Sequence, residues 1–327
     1  HYRSHSFPTR RSSDLLITGA TGFIGSHLVK SLIKKEHTIV GIDNHICNYS
    51  NALKKARIRN IGSKNFKLYF CDINNIKNSE TGVDLAIHLA AQPGVRVPKE
   101  NEYLYEHSNI LGFQSLCDYC VKNKIKKIIY ASSSSVYSDT DTAKFNESKT
   151  KLHPKSKYGQ SKLANEIYAS KMAYTTDISF VGLRFFSVYG SFGRPDMAYY
   201  LFTEALCNNK KIILNNNGVM RRDMTHISDI IQGIEGAMTY ILNEKDAKNQ
   251  LFNLGNSYPI STSDLLKILI DKTKKNTQIV HKLTKNESDF TCADINKARN
   301  LLGYSPKISI NDGLDEFLNW YKDYEKK

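Results

Sequence analysis

Two short segments of the chain bring together side chains able to move a proton. Tyr158 and Lys162 stand four apart in Tyr158-Gly159-Gln160-Ser161-Lys162, and Ala131-Ser132-Ser133-Ser134-Ser135-Val136-Tyr137 gathers four hydroxyls in a row. Residues i and i+4 of a helix share a face, so the phenol and the ammonium enter one cleft. A free phenol titrates near 10, but adjacent positive charge favours phenolate and makes tyrosine usable as a base near neutral pH. Tyrosine and lysine fall four apart in many helices, so this pair gains weight only from its company.

That company begins near the start of the chain. Gly19, Gly22 and Gly25 lie three apart between the strand-like run Leu15 to Thr18 and an apolar-periodic stretch. At such a junction the first glycine permits a tight turn and the second lets backbone N–H groups approach a pyrophosphate. The third lets the helix, opening at Phe23 and Ile24, pack closely and aim its positive end at the anion. Asp43 ends the next strand-like run 18 residues after Gly25, with Asn44 behind it. A carboxylate there accepts hydrogen bonds from both ribose hydroxyls of an adenosine and repels an added phosphate, which favours NAD over NADP. Asp72 and Ile73, at the end of a third run, are candidates for the adenine, with helix capping the competing role for Asp72. The small side chains of Leu89-Ala90-Ala91 leave room for the cofactor beside the backbone.

These segments need elements to position them. Near-continuous apolar runs at 37–43, 66–71, 85–89, 128–132 and 178–183 alternate with helical stretches such as 110–121 and 158–172. That alternation predicts an α/β fold, a Rossmann-type doubly wound parallel sheet buried on both faces, with the NAD-binding domain over 15–183. Beyond 184 the pattern turns irregular, predicting a smaller α/β substrate-binding domain over 184–327 at the carboxyl edge, with a return to the first domain around 225–256. Residues 1–14 lack periodicity and an apolar signal-like stretch, and are read as a non-native or disordered leader.

Composition narrows the alternatives. No apolar run approaches the roughly 20 residues of a membrane span. Six cysteines in 327 residues make no disulfide scaffold, and the single CxxC at Cys117 and Cys120 is too little for zinc, so reduced thiols, no metal and a cytoplasmic setting are expected. The net charge of +14 invites a nucleic-acid reading. Lysine outnumbers arginine 35 to 11 and is scattered without a dense block, which describes a solvated surface rather than a nucleic-acid site.

Together TGATGFIG at 18–25, GIDN at 41–44, HLAAQPGVR at 88–96, ASSSSVY at 131–137, YGQSK at 158–162, LRFFSVYGSFGRPDM at 183–197 and MRRDMTHISDI at 220–230 resemble the extended short-chain dehydrogenase/reductases. Within them the chain is most similar to the UDP-glucuronate 4-epimerases, from about Leu15 to Tyr321. The resemblance implies Ser133, Tyr158 and Lys162 as catalytic residues, with Lys162 also holding the nicotinamide ribose. It further implies a UDP-sugar substrate, a transient 4-keto intermediate, a homodimer formed through two helices per subunit, and a place in polysaccharide biosynthesis. Sister dehydratases and decarboxylases carry carboxylates just after the catalytic hydroxyl. Here Ser134 and Ser135 stand there and, with Ser187, suit a sugar carboxylate. Arginine matches phosphate oxygens bidentately: Arg96, Arg194 and Arg222 fall in candidate substrate-binding loops, with Arg194 and Arg222 expected to face the UDP moiety, whereas Arg184 reads as a structural ion-pair partner. Glu287 stands where a Gly-Asp pair of the family contacts the nucleotide. The competing readings are a 4-epimerase for UDP-glucose, UDP-galactose or UDP-N-acetylhexosamines, and an NAD-sensing binding module, which would need none of the three catalytic side chains.

Overall fold

The computed structural model describes residues 14–44, 49–62, 65–76, 82–95, 97–137, 144–244, 248–284 and 290–326. Arg96 and Glu287, both expected at the substrate, lie outside them. Along the first half run β1 (Asp14–Thr18), α1 (Phe23–Ile33), β2 (Thr38–Asp43), α2 (Asn51–Ile61), β3 (Phe66–Phe70) and β4 (Leu85–His88). A π-helical turn (Tyr105–Leu111) leads into α3 (Gly112–Lys122), followed by β5 (Lys127–Ser133), α4 (Lys157–Thr175) and β6 (Ser179–Phe185). The first strand begins at Asp14, one residue inside the stretch read as leader: it pairs with Thr38, and its N–H donates to the Asp84 carboxylate at 3.1 Å.

Seven parallel strands form the main sheet in the order β3-β2-β1-β4-β5-β6, with a last strand, residues 249–254, beside β6. The chain moves outward from β1 to β3 and then returns to place β4 on the other side of β1, which opens a crevice at the carboxyl ends of these strands. Burial on both faces follows the two-residue period of a strand. Leu15 and Ile17 enter one core with α1, whereas Leu16 enters another with Phe113, Leu116 and Ile128.

The second half runs through β7 (Ser187–Tyr189), α5 (Ala198–Cys207), β8 (Ile212–Asn215), β9 (Arg221–His226), α6 (Ile227–Asn243), β10 (Asn249–Leu254), β11 (Pro259–Ser261), α7 (Thr262–Thr273), β12 (Ile279–Lys282), α8 (Asn296–Leu302) and α9 (Ile310–Glu325). Here β10 is the seventh strand of the main sheet, and Ile230, Ile234 and Ile241 of α6 share the first core with α1. The remaining strands make a three-stranded sheet, β11-β9-β7, and a pair, β12-β8. A third core, rich in aromatics such as Tyr199, Phe317 and Tyr321, packs α5, α7 and α9.

Candidate active site

The glycine turn is a backbone cradle. Gly19 has φ +68, and a Cβ there would lie 2.7 Å from the Ala90 nitrogen; a Cβ on Gly25 would lie 2.0 Å from the Gly19 carbonyl oxygen. Side chains are thus excluded where α1 meets β1, and the N-terminus of α1 opens unobstructed onto a cavity of about 780 Å³. Gly19, Gly22, Phe23, Ile24, Gly25, Asp43, Asn44, Ile73, Leu89, Ala90 and Ala91 all line it. A phosphate-binding helix end, a strand-end carboxylate and small side chains in one elongated crevice fit a dinucleotide.

Two details of that end differ from the sequence reading. Asp72 does not line the cavity; its carboxylate accepts from the Asn74 N–H at 2.8 Å and caps the short 3₁₀ turn Ile73–Asn75. Asp43 is also more occupied than a free ribose acceptor. One oxygen accepts from the Thr21 N–H (2.8 Å) and hydroxyl (2.6 Å), the other from the Asn44 N–H and the Lys54 ammonium (both 2.7 Å). The buried Lys54 neutralises much of the charge that the sequence argument used to reject an added phosphate. Lys54 and Arg57 occupy buried positions at i and i+3 of α2, where an amphipathic helix would ordinarily place apolar residues.

At the reacting end, β5 delivers Ser133 and α4 delivers Tyr158 and Lys162, and all three line the same cavity. Ser156 caps α4, its hydroxyl accepting from the Gly159 N–H at 3.0 Å. The helix start then approaches β5 so closely that a Cβ at Gly159 would lie 2.3 Å from the Ser135 carbonyl oxygen. That contact explains the glycine beside the tyrosine: it brings the phenol within hydrogen-bonding reach of the Ser133 hydroxyl. The Lys162 ammonium is buried 5.8 Å from the phenol ring centroid and donates to the Ala131 carbonyl at 2.9 Å.

Electrostatics refine the expected base. Burial is the largest influence on Tyr158 and raises its pKa; Arg194 and the Ser133 hydrogen bond act in the opposite direction. Burial likewise lowers Lys162 to about 8. Arg194, which the sequence reading reserved for the diphosphate, thus also acts on the phenol, beside the Lys162 ammonium. Arg194 pairs with Asp196, its Nε donating to Oδ1 at 3.0 Å and a second nitrogen to Oδ2. The Arg-Pro-Asp order at 194–196 was the available sign of that pairing.

Ser134, Ser135, Ser187, Arg194 and Arg222 line the cavity around this centre. Among the described residues, the hydroxyls of Ser134, Ser135 and Ser187 make no hydrogen bond to the protein, leaving three donors available. Asn109 was missed by sequence reasoning. Carried by the π-helical turn and fully buried, its side chain accepts from the Gln92 N–H (2.7 Å) and donates to the Gln92 carbonyl (3.2 Å) and the Ser161 hydroxyl (2.9 Å). The wider turn aims it at the loop lining the cavity. Arg184 is the ion-pair partner expected, held by Glu166 through 2.8 and 2.7 Å bonds and joined to the Tyr137 hydroxyl at 2.8 Å.

A cavity that joins a glycine cradle fit for a dinucleotide to Ser133, Tyr158 and Lys162 defines a Rossmann-fold, NAD-dependent class of protein, and the chain belongs to the NAD dependent epimerase/dehydratase family, whose model matches residues 15–255. Among relatives, it is 37% identical to UDP-glucuronate 4-epimerase 3 of Arabidopsis thaliana over 335 residues, covering 97% of this chain and 78% of that protein. Protein CapI of Staphylococcus aureus is 34% identical over 332 residues, covering 96% and 99%. Among solved structures, UDP-glucuronic acid 4-epimerase from Bacillus cereus in complex with UDP-glucuronic acid and NAD superposes with a TM-score of 0.87 at 33% identity, covering 95% of this chain and 99% of that one.

Proposed function

We propose that the protein is an NAD-dependent UDP-sugar 4-epimerase, an isomerase whose substrate pair is UDP-glucuronate and UDP-galacturonate. The observation that carries this reading is the convergence of Ser133, Tyr158 and Lys162 on one cavity with the glycine cradle, together with Ser134, Ser135 and Ser187. The relatives named for UDP-glucuronate 4-epimerisation, and the Bacillus cereus complex with UDP-glucuronic acid and NAD, support it.

In this mechanism Gly19, Gly22, Gly25 and the N-terminus of α1 hold the pyrophosphate, Asp43 meets the adenosine ribose, and Lys162 orients the nicotinamide ribose. When bound, NAD accepts hydride from C4 of the sugar and returns it to the opposite face, so no cofactor is consumed. Tyr158 removes the 4-hydroxyl proton during oxidation and gives it back during reduction, its phenolate form favoured against burial by Arg194, Ser133 and the positive charge of the bound cofactor, while the Ser133 hydroxyl donates to the reacting oxygen. Between the two half-reactions the 4-keto sugar turns over. A 4-keto uronate is a β-keto acid prone to losing CO₂. Ser134, Ser135 and Ser187 restrain its carboxylate, and no carboxylate follows Ser133 to assist elimination. Arg222 and Arg194 meet the diphosphate.

No helix among the described residues is long and apolar enough to cross a membrane. We place the enzyme in the cytoplasm, supplying a precursor for polysaccharide synthesis. We assign its dimer contact to the outward faces of the π-helical turn with α3 and of α4, where Leu111, Ile167 and Tyr174 are exposed. The deciding experiment is an NMR time course of purified protein with UDP-glucuronate and no added NAD. Growth of galacto-configured signals is the expected result, and an unchanged spectrum from protein that retains bound NAD would overturn the assignment.

A further inference from the structure

A buried guanidinium outside the reaction centre carries a further inference. Arg57 of α2 has 0% exposure, and among the described residues it makes no ion pair. Its Nε donates to the Phe192 carbonyl (2.9 Å), one terminal nitrogen to the Gly193 carbonyl (3.2 Å) and the other to the Tyr49 hydroxyl (2.7 Å). Burying a charge is costly, and neutral acceptors offset that cost only when they meet its donors in the right geometry. The planar fork of arginine spans three such acceptors, which a lysine ammonium on a flexible stem does not.

What this fork holds is the segment immediately before Arg194. Phe192 itself lies in the left-handed region at φ 58, which disfavours a bulky side chain unless its surroundings hold it there. Its ring packs against His27 of α1 (centroids 6.0 Å apart) and Trp320 of α9 (5.0 Å). Three helices distant in sequence therefore pin two residues, and the next one is Arg194, which lines the same cavity as Tyr158.

We propose that Arg57 is a positioning residue for the reaction: by holding the Phe192 and Gly193 carbonyls it fixes Arg194 in the wall of the cavity that also holds the Tyr158 phenol, and so keeps a guanidinium within electrostatic reach of the base. The groups around that phenol are Lys162 on its own helix, Ser133 from β5, Tyr105 from the π-helical turn (rings 6.2 Å apart), and Arg194 with its partner Asp196. Glu102, also nearby, is paired with Lys157 at 2.6 Å. Of these, Arg194 is the one that directly follows the two carbonyls Arg57 holds. The inference deepens the epimerase reading but depends on it only for turnover, because ionisation of the phenol is measurable without substrate.

The test is an ultraviolet difference titration of the NAD-bound protein, with Tyr158→Phe subtracting the other 18 of its 19 tyrosines. Arg57→Lys is expected to raise the proton affinity of Tyr158 about tenfold, one pH unit upward. Phe192→Asn, which tolerates left-handed backbone and leaves Arg57 intact, is expected to shift it the same way. In an Arg194→Met background, Arg57→Lys adds no further shift. An unchanged titration in folded Arg57→Lys or Phe192→Asn protein, or a full second shift in the Arg194→Met background, would overturn the proposal. A wild-type protein whose phenol depends on Arg57 but which leaves UDP-glucuronate unconverted retains this inference and removes the epimerase reading.

Discussion

The cofactor end of the cavity is built from backbone, and the reacting end from side chains. At the first, the turn after β1 and the start of α1 offer N–H groups, and what matters is the absence of Cβ atoms at Gly19 and Gly25. At the second, Ser133, Tyr158, Lys162, Ser187 and Arg194 arrive from two strands, one helix and a loop. A backbone site tolerates changes in neighbouring side chains but not an added methyl group. A side-chain site tolerates small shifts in volume but not the loss of one functional atom. The difference explains why the first was readable from three glycines and why the second required separate segments to be brought together.

The comparison can be broken most sharply at the reacting end. Tyr158→Phe removes one oxygen, and turnover of UDP-glucuronate followed by NMR is expected to fall about 10²–10⁴-fold, with bound nucleotide, read by absorbance of the released cofactor, unchanged. Loss of nucleotide together with turnover would show that the two ends are not separable. The mirror experiment is Gly25→Val. Because its Cβ alone would sit 2.0 Å from the Gly19 oxygen, purified protein is expected to carry little nucleotide and to unfold at lower temperature, even though every catalytic side chain is intact.

A smaller but still large effect tests the frame behind both ends. Glu166→Gln leaves the Arg184 guanidinium buried without its counter-ion; side-chain exposures are 1% and 4%. The expected loss is about 3–5 kcal/mol in denaturant unfolding, and a change within error would mean that the network with Tyr137 carries the charge alone. Next come Ser134→Ala and Ser187→Ala. Each removes a hydrogen bond to a carboxylate worth roughly 1.5–3 kcal/mol, so KM for UDP-glucuronate is expected to rise about tenfold or more while that for UDP-glucose stays constant. Equal changes for both sugars would move the carboxylate elsewhere.

The effect that is smallest at neutral pH, and grows only in acid, concerns stability. His88 is buried at the end of β4, bonded to the Thr18 hydroxyl at 2.8 Å, and its pKa is lowered from 6.5 to about 3, first by burial and then by Lys162. The folded state therefore keeps this ring neutral while the unfolded chain takes up a proton below 6.5, so stability drains away as pH falls through the window from 6.5 to about 3. The slope from this residue is at most about 1.4 kcal/mol per pH unit. His88→Asn is expected to flatten the acid side of a plot of unfolding free energy against pH, and an unaltered slope would assign the acid sensitivity to other groups such as His27.

Much of this architecture was legible before any coordinates. The alternation of apolar runs and helices announced a doubly wound parallel sheet, and the strand predicted over 128–132 is β5, whose last residue is the catalytic candidate Ser133. The expected helix 158–172 lies within α4, which extends to Thr175. Other features were not legible, because their partners are remote in the chain. Lys54 was unread as the counter-ion of Asp43, since a lysine on a helix gives no sign of pointing inward. Asp72 was read as an adenine contact or a cap, and its carboxylate makes the cap. Arg57 meets Phe192 and Gly193 across 135 and 136 residues.

Local spacing thus determined what kind of chemistry this chain can perform. Glycines three apart, a strand-end aspartate and a tyrosine four residues before a lysine impose their geometry through the regular repeat of strand and helix, independent of the rest of the molecule. Tertiary packing alone decided the charge environment of that chemistry: which cations share the cavity with the phenol, which lysine pairs with Asp43, and which arginine holds the segment before Arg194. Electrostatic influence depends on distance and burial in three dimensions, and neither is written in the order of residues along the chain.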